Sequence, residues 1–326
     1  MSEQSRFPDG HPAGFDLVSI GRVGIDLYPL QDRTPLAEVS AFGRYLGGSS
    51  ANVAVAAARH GRRAALVSRT GDDDFGAFVR SELGRLGVDA REVLPLAEVR
   101  TTLAFCEIFP PDRFPLTFYR DPVAPELRIR AEELDLARIA SAGVLWMSAT
   151  SFSADPSREA HHAALEARAG RTAVLDLDHR AGFWPDDAAA ARELESVWPR
   201  LTIAVGNLEE CRIAVGESDP DRAADALLDR GLELAVVKLG PGGVLGATRE
   251  ERVRVPATPV EVVNGLGAGD AFGGALVHAL LAGWPLGRLL RFASAAGAIV
   301  AGRRECSTAM PTTAEVEGLV TEGDAG

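Results

Sequence analysis

Short apolar runs rich in β-branched residues alternate with helical patterns along most of this chain. "FDLVSIG" (15–21) reads as a first buried strand, and "GSSANVAVAAARHG" (48–61) as a helix opened by Ser and Asn and stopped by Gly. "RAALVSRTG" (63–71) reads as a second strand. In "DDFGAFVRSELGRLG" the residues Phe75, Phe78, Val79, Leu83 and Leu86 fall on one helical face. Further on, "GVLWMSAT", "TAVLDLDHR", "TIAVGN" and "LAVVKLG" read as strands, with amphipathic helices near 156–170, 187–199, 207–216 and 221–231. This β-α-β-α alternation predicts an α/β fold: a central, mostly parallel sheet with helices on both faces.

Two segments break the rhythm. "LYPLQDRTPLAEVSAFGRYLGG" (27–48) and "TTLAFCEIFPPDRFPLTFYRD" (101–121) alternate apolar and polar residues and contain prolines. The second reads as two strands around a "PPDRFP" turn. Together they predict a small β sheet beside the main one, a lid. "VKLGPGGVLGATREERVRVPA" reads as a hairpin run, and the chain reads as largely helical from Gly269 onward. Residues 1–14, polar and rich in Pro and Gly, read as a flexible tail; residues 15–326 read as one domain that carries the lid.

Charge and composition narrow the function classes. The net charge of -12 argues against a nucleic-acid surface. It leaves room for an anionic ligand, because local amides and arginines can oppose the global field. No apolar stretch is long enough to span a bilayer, and the amino-terminal residues lack the apolar core of a signal peptide. The expectation is a cytoplasmic protein without a membrane partner. Cys106, Cys211 and Cys306 lie far apart and make no metal or redox spacing, so they read as buried free thiols. Lys238 is the only lysine.

The candidate chemistry sits in two glycine-rich stretches. In "VVNGLGAGDAFGG" (262–274), Gly267, Ala268 and Gly269 precede an apolar helix. Backbone N–H groups at such a helix start face an anion, and the helix dipole adds to the attraction. No Lys-Ser/Thr follows, so this is not a Walker A loop, and it is not the dinucleotide fingerprint. Asp270 reads either as an N-cap or as a catalytic acid–base. In "GGSSANVAVAAARHG" (47–61), Gly47 and Gly48 permit close ligand approach, and Asn52 offers a donor and an acceptor to a polyol.

These two stretches in this order, with "NLEE" (207–210) between them, resemble the signatures of the ribokinase-like (PfkB) carbohydrate kinases from about Phe15 to Pro311. The resemblance implies a ribokinase-like fold that binds ATP and Mg²⁺. It implies that Asp270 takes the proton from the substrate hydroxyl while the amides of Gly267, Ala268 and Gly269 stabilise charge on the moving phosphoryl group. Glu210 would help hold Mg²⁺ through water, and Asn207 would lie near the ATP phosphates. Asp26 would bind substrate hydroxyls, with Gly47, Gly48 and Asn52 beside it. Each also has an ordinary structural reading: Asn207 as a helix N-cap, Glu210 as a solvated helix residue, Asp26 as a turn residue after a strand.

Arg180, Lys238, Gly240 and Gly243 are candidates for the nucleotide site. Asn264 stands where the resemblance predicts Asp, and Gly265 where it predicts Thr. Asn264 keeps a carbonyl oxygen but no charge, so a monovalent-cation site there is weakened and K⁺ activation is left open. "GRVGIDLYP", "FYRDPVA", "DLDHRAGFW" and "CSTAMPT" are similar to the branch of the family that phosphorylates the terminal hydroxyl of a linear keto acid in myo-inositol breakdown. A sugar acid needs an arginine, and Arg120 is the candidate. Rival readings are a 2-keto-3-deoxygluconate kinase, a fructokinase, a dehydrogenase, and a sugar- or nucleotide-binding regulator without catalysis. A homodimer through the lid is a further analogy.

Overall fold

The structure, a computed structural model, describes residues 14–324. The expected flexible tail lies, but for Gly14, outside the described residues. One sheet runs in the spatial order Arg252–Val255, Val244–Ala247, Leu234–Lys238, Ile203–Asn207, Ala173–Asp176, Val144–Ser148, Leu17–Ile20, Ala64–Gly71, Val88–Leu96. All neighbours are parallel except the hairpin strands Val244–Ala247 and Arg252–Val255 at one edge.

Successive side chains of a strand point to opposite faces, so a sheet buried on both sides reads as continuous apolar runs. Val144 and Trp146 pack on one face, Leu145 and Met147 on the other. The helices Ser49–Arg59, Asp74–Arg85, Ala268–Leu281 and Leu286–Ala301 cover the first face. The helices Ser157–Arg168, Asp187–Val197, Leu208–Val215 and Pro220–Asp229 cover the second.

The edge strand Val88–Leu96 is a departure from the sequence reading. Its "VDAREVLPL" carries charges and a proline and buries only Val88 and Val93. Edge strands tolerate such residues, which hides them from an apolar-run criterion. The lid is a four-stranded sheet in the order Phe42–Gly47, Gly24–Pro29, Leu103–Cys106, Leu116–Tyr119. It begins at Gly24 rather than at residue 27. Asp26 therefore stands within a lid strand, paired with Tyr45 and Ala104, and not in a turn.

The topology fixes where a ligand can go. After the strand Leu17–Ile20 the chain builds Ala64–Gly71 and Val88–Leu96 on one side, then crosses to Val144–Ser148 on the other. Parallel sheets bind ligands at the carboxyl ends beside such a reversal, because neighbouring loops there diverge and leave a crevice. The lid strand Gly24–Pro29 leaves from this same edge.

Small residues bring two functional helices together. A Cβ on Gly274 would fall 2.3 Å from Ala56 Cβ, and one on Gly273 would fall 2.7 Å from Trp146 Cη2. The "VAVAAA" face of Ser49–Arg59 and the glycine pair of Ala268–Leu281 thus permit a backbone approach that no larger side chain allows. Ala is normally favoured over Gly inside a helix by about 0.5–1 kcal/mol. Here Gly274→Ala is expected to destabilise instead, by about 1–3 kcal/mol, because overpacking outweighs propensity. Denaturant titration checks the sign.

Candidate active site

The crevice holds an open cleft walled by the strand ends, the lid and the amino end of the helix Ala268–Leu281. That helix starts at Gly267, whose φ of 80° is left-handed, and no side chain caps it. Its first N–H groups are therefore open to an anion. Asp270 is the third residue inside the helix rather than its cap. Its Oδ2 accepts a 2.7 Å hydrogen bond from Asn52 Nδ2. The ionised carboxylate can only accept, which sets the amide with its nitrogen toward Asp270 and its Oδ1 toward Ser307 Oγ on the other side.

Burial pushes the Asp270 carboxyl up to about 7; the Asn52 bond pulls it down, and the negative charges of Asp178 and Asp176 raise it again. Such a carboxylate is poised to accept a proton near neutral pH. Burial likewise raises Asp26 to about 6, against the pull of the Tyr28 hydroxyl, which donates to Asp26 Oδ2 at 3.1 Å, and of the Arg22 charge. Gly47 is the close neighbour of this group, since a Cβ there would fall 2.1 Å from Asp26 Oδ1.

Both carboxyls must ionise for the cleft to reach its working charge state. kcat/KM is expected to fall about tenfold per pH unit below about 7, and more steeply below about 6. Asn52→Leu removes a donor to the ionised form, so it should raise the Asp270 pKa and move this acid limb to higher pH. A pH profile of kcat/KM for both proteins checks direction and displacement.

Asp176, Asp178, Arg180, Asn207, Glu210 and Lys238 line the opposite wall at the strand ends. Lys238 Nζ lies 3.8 Å from Asp176 Oδ1. Burial disfavours the ammonium, but the surrounding carboxylates of Asp176, Glu210 and Asp270 outweigh it and hold Lys238 protonated. Asp178 is buried, yet Arg180 and Arg22 keep it ionised. Arg180 Nη2 donates to Asp178 Oδ1 at 2.9 Å, Ser49 Oγ to Oδ2 at 3.1 Å, and Arg22 Nη2 also bonds Oδ2. Asn207 and Glu210 form a reciprocal cap: Asn207 Oδ1 accepts from the Glu210 amide at 2.9 Å, and Glu210 Oε2 from the Asn207 amide at 2.7 Å. The ordinary cap reading of Asn207 thus holds, and both residues line the cleft as well.

Among the described residues, no three His, Cys, Asp or Glu side chains converge as a metal cage. The oxygen donors of Asp176 and Glu210 instead suit Mg²⁺ that keeps its waters and is shared with phosphates. Bound there, the ion would neutralise phosphate charge.

Other expected site residues take different places. Gly48, Gly267 and Gly269 line the cleft, whereas Ala268, Gly240 and Gly243 do not. Gly243 serves the hairpin contact: with φ of 89°, its Cβ would fall 2.0 Å from the Val255 carbonyl oxygen. Arg120 lies outside the lining; its guanidinium sits 3.5 Å over the Phe183 ring and donates to the Gly182 carbonyl. Asn264 is fully buried, donating to the Arg304 carbonyl at 2.8 Å and accepting from the Leu266 amide at 3.1 Å. It ties the loop that carries the open amides. Cys106, Cys211 and Cys306 are free and buried, as their spacing predicts.

The sequence reading passed over Arg22, Ser49, Glu126, Asp176 and Asp178 as cleft residues. The two acids of "DLDHR" were visible at a strand end. Arg22 and Glu126 had no local signal.

The chain matches the pattern described as "pfkB family carbohydrate kinase" over residues 15–313. It is 34% identical over 319 residues to the 5-dehydro-2-deoxygluconokinase of Shouchella clausii (strain KSM-K16), covering 94% of this chain and 96% of that one. Among solved structures, the fructokinase with bound ATP from Xylella fastidiosa aligns with a TM-score of 0.83 at 27% identity, covering 94% of this chain and 98% of that one. A ribokinase II from E. coli in complex with ATP and Mg²⁺ aligns with a TM-score of 0.86 at 24% identity, covering 94% of this chain and 99% of that one. Among the described residues, no helix is long and apolar enough to cross a membrane.

Proposed function

This chain belongs to the pfkB family of carbohydrate kinases, and from that premise we propose that it transfers the γ-phosphoryl group of ATP to the terminal (C6) hydroxyl of 5-dehydro-2-deoxy-D-gluconate. The observation that carries the chemistry is the pairing of one buried, Asn52-oriented carboxylate, Asp270, with the uncapped amino end of its own helix. The named relative carries the choice of substrate.

Asp270 accepts the proton of the attacking hydroxyl, so its oxygen is left without positive charge as the P–O bond forms. The open amides of Gly267 and Gly269 stabilise the phosphoryl oxygens, and ADP departs with the bridging electrons. Lys238 and Arg180 balance phosphate charge, and Asp176 and Glu210 would hold Mg²⁺, which would neutralise more of it. Asp26 fixes substrate hydroxyls from the lid side, and the lid excludes water that would otherwise compete for the phosphoryl group. Asn264 brings no charge to a monovalent cation. The reading includes a cytoplasmic setting and a homodimer through the lid, where Leu30 and Tyr119 are 54% and 59% exposed.

A coupled ADP-release assay with 5-dehydro-2-deoxygluconate, 2-keto-3-deoxygluconate and fructose, each with and without K⁺, tests the reading. The highest kcat/KM for the first acid supports it. A clear preference for either of the others reassigns the substrate, and absence of turnover with all three favours a binding protein without catalysis.

A further inference from the structure

Arg22 leaves the carboxyl end of the strand Leu17–Ile20 where the chain turns into the lid. It is 8% exposed and lines the cleft. Its Nη2 bonds Asp178, but Nε and Nη1 have no partner. A guanidinium carries five donors, and leaving buried ones unmatched is costly. Asp178 is shared by two arginines, Arg22 and Arg180, so one carboxylate cannot satisfy the donors of both. Asp178 itself sits at a φ of 23°, a sparsely populated conformation for a non-glycine residue, held by these contacts.

Beside Arg22 stands Glu126, in the short helix Pro125–Arg128. It is 2% exposed, lines the same cleft, and its Oε2 also has no partner. Burial raises the Glu126 carboxyl above its ordinary value against the pull of the Arg22 and Arg120 charges, and it forms no ion pair with Arg22. An unmatched donor set and an unmatched acceptor thus face one space. The Phe183 ring, 5.5 Å from the Arg22 guanidinium, walls that space with a surface that suits the stem of a small ligand. Arg22 and Asp270 line the same cleft.

We infer that Arg22 is the residue that selects sugar acids over neutral sugars, taking the substrate carboxylate on its unpartnered donors while Glu126 accepts from a neighbouring hydroxyl. The inference rests on the kinase reading above and deepens it. It moves acid recognition from Arg120, which lies outside the cleft lining, to a side chain that lines it.

The test compares the wild type with Arg22→Lys, Arg22→Met, Glu126→Gln and Arg120→Ala, measuring KM and kcat for the three substrates and KM for ATP. Arg22→Lys keeps a cation beside Asp178, so it guards against simple misfolding. Loss of a charge-assisted bond predicts a rise in KM for the preferred acid of about tenfold in Arg22→Lys and about a hundredfold in Arg22→Met, with the loss in KM rather than kcat. An unmoved KM for the acid, a rise confined to ATP, or an acid preference lost in Arg120→Ala and retained in Arg22→Lys would each overturn the inference. If the wild type prefers 2-keto-3-deoxygluconate and Arg22→Lys raises that KM, the inference stands while the proposed substrate falls. If the 5-dehydro acid is preferred and Arg22→Lys leaves its KM unmoved, the reverse holds. Turnover of fructose alone overturns both.

Discussion

Asp270→Asn is expected to fold, to bind ATP, and to lose about three orders of magnitude in kcat, in line with the usual worth of a general base. The substitution is nearly isosteric. It keeps an oxygen that can accept from Asn52 Nδ2, now at 2.7 Å, and removes only the ability to take a proton. It also removes a negative charge that the site has to hold against burial and against Asp176 and Asp178. The variant should therefore be at least as stable as the wild type above pH 7. The sign follows from linkage: a carboxyl whose folded pKa is raised above its unfolded value costs stability once pH climbs past that unfolded value, and replacing it relieves the cost. Isothermal titration with ATP, thermal unfolding and single-turnover assays separate these effects. Near-wild-type turnover with intact folding would remove Asp270 from the role of base.

Gly267→Ala is expected to lower kcat by about 10²–10³, the usual cost of losing one anion-stabilising donor. Two features of Gly267 make it intolerant. Its φ of 80° belongs to the left-handed region, which a Cβ disfavours. A Cβ there would also fall 2.0 Å from Cys306 Sγ, far inside van der Waals contact. The loop must shift, and the amides it presents shift with it. The double variant Gly267→Ala with Cys306→Gly frees the space but not the dihedral. Partial recovery of kcat in the double variant would assign the loss to the Cys306 clash, and no recovery would assign it to backbone strain. Unchanged kcat in the single variant would exclude the amides from the chemistry.

The parts legible in the sequence were those encoded locally. The apolar runs placed the buried parallel strands because a strand covered on both faces needs apolar residues at every position. Gly267, Gly269 and Asp270 were legible because a helix start free of side chains is itself a sequence pattern. The edge strand Val88–Leu96 was not, because an edge asks for few apolar residues. The ordinary reading of Asp26 as a turn residue fails because the lid strand Gly24–Pro29 owes its pairing to Phe42–Gly47 and Leu103–Cys106, both distant in the chain. Arg22 had no local signal at all: its partner, Asp178, lies 156 residues away. Asn264 was legible as a departure from pattern, yet its structural work depends on the Arg304 carbonyl, 40 residues on.

The most direct test of the central claim is the product itself. Wild-type protein given ATP, Mg²⁺ and 5-dehydro-2-deoxygluconate should yield one phosphomonoester per ADP, and ³¹P–¹H correlation should show the phosphorus coupled to the two terminal methylene protons. ADP formed with inorganic phosphate alone, or phosphorus coupled to a different carbon's proton, would contradict transfer to the terminal hydroxyl.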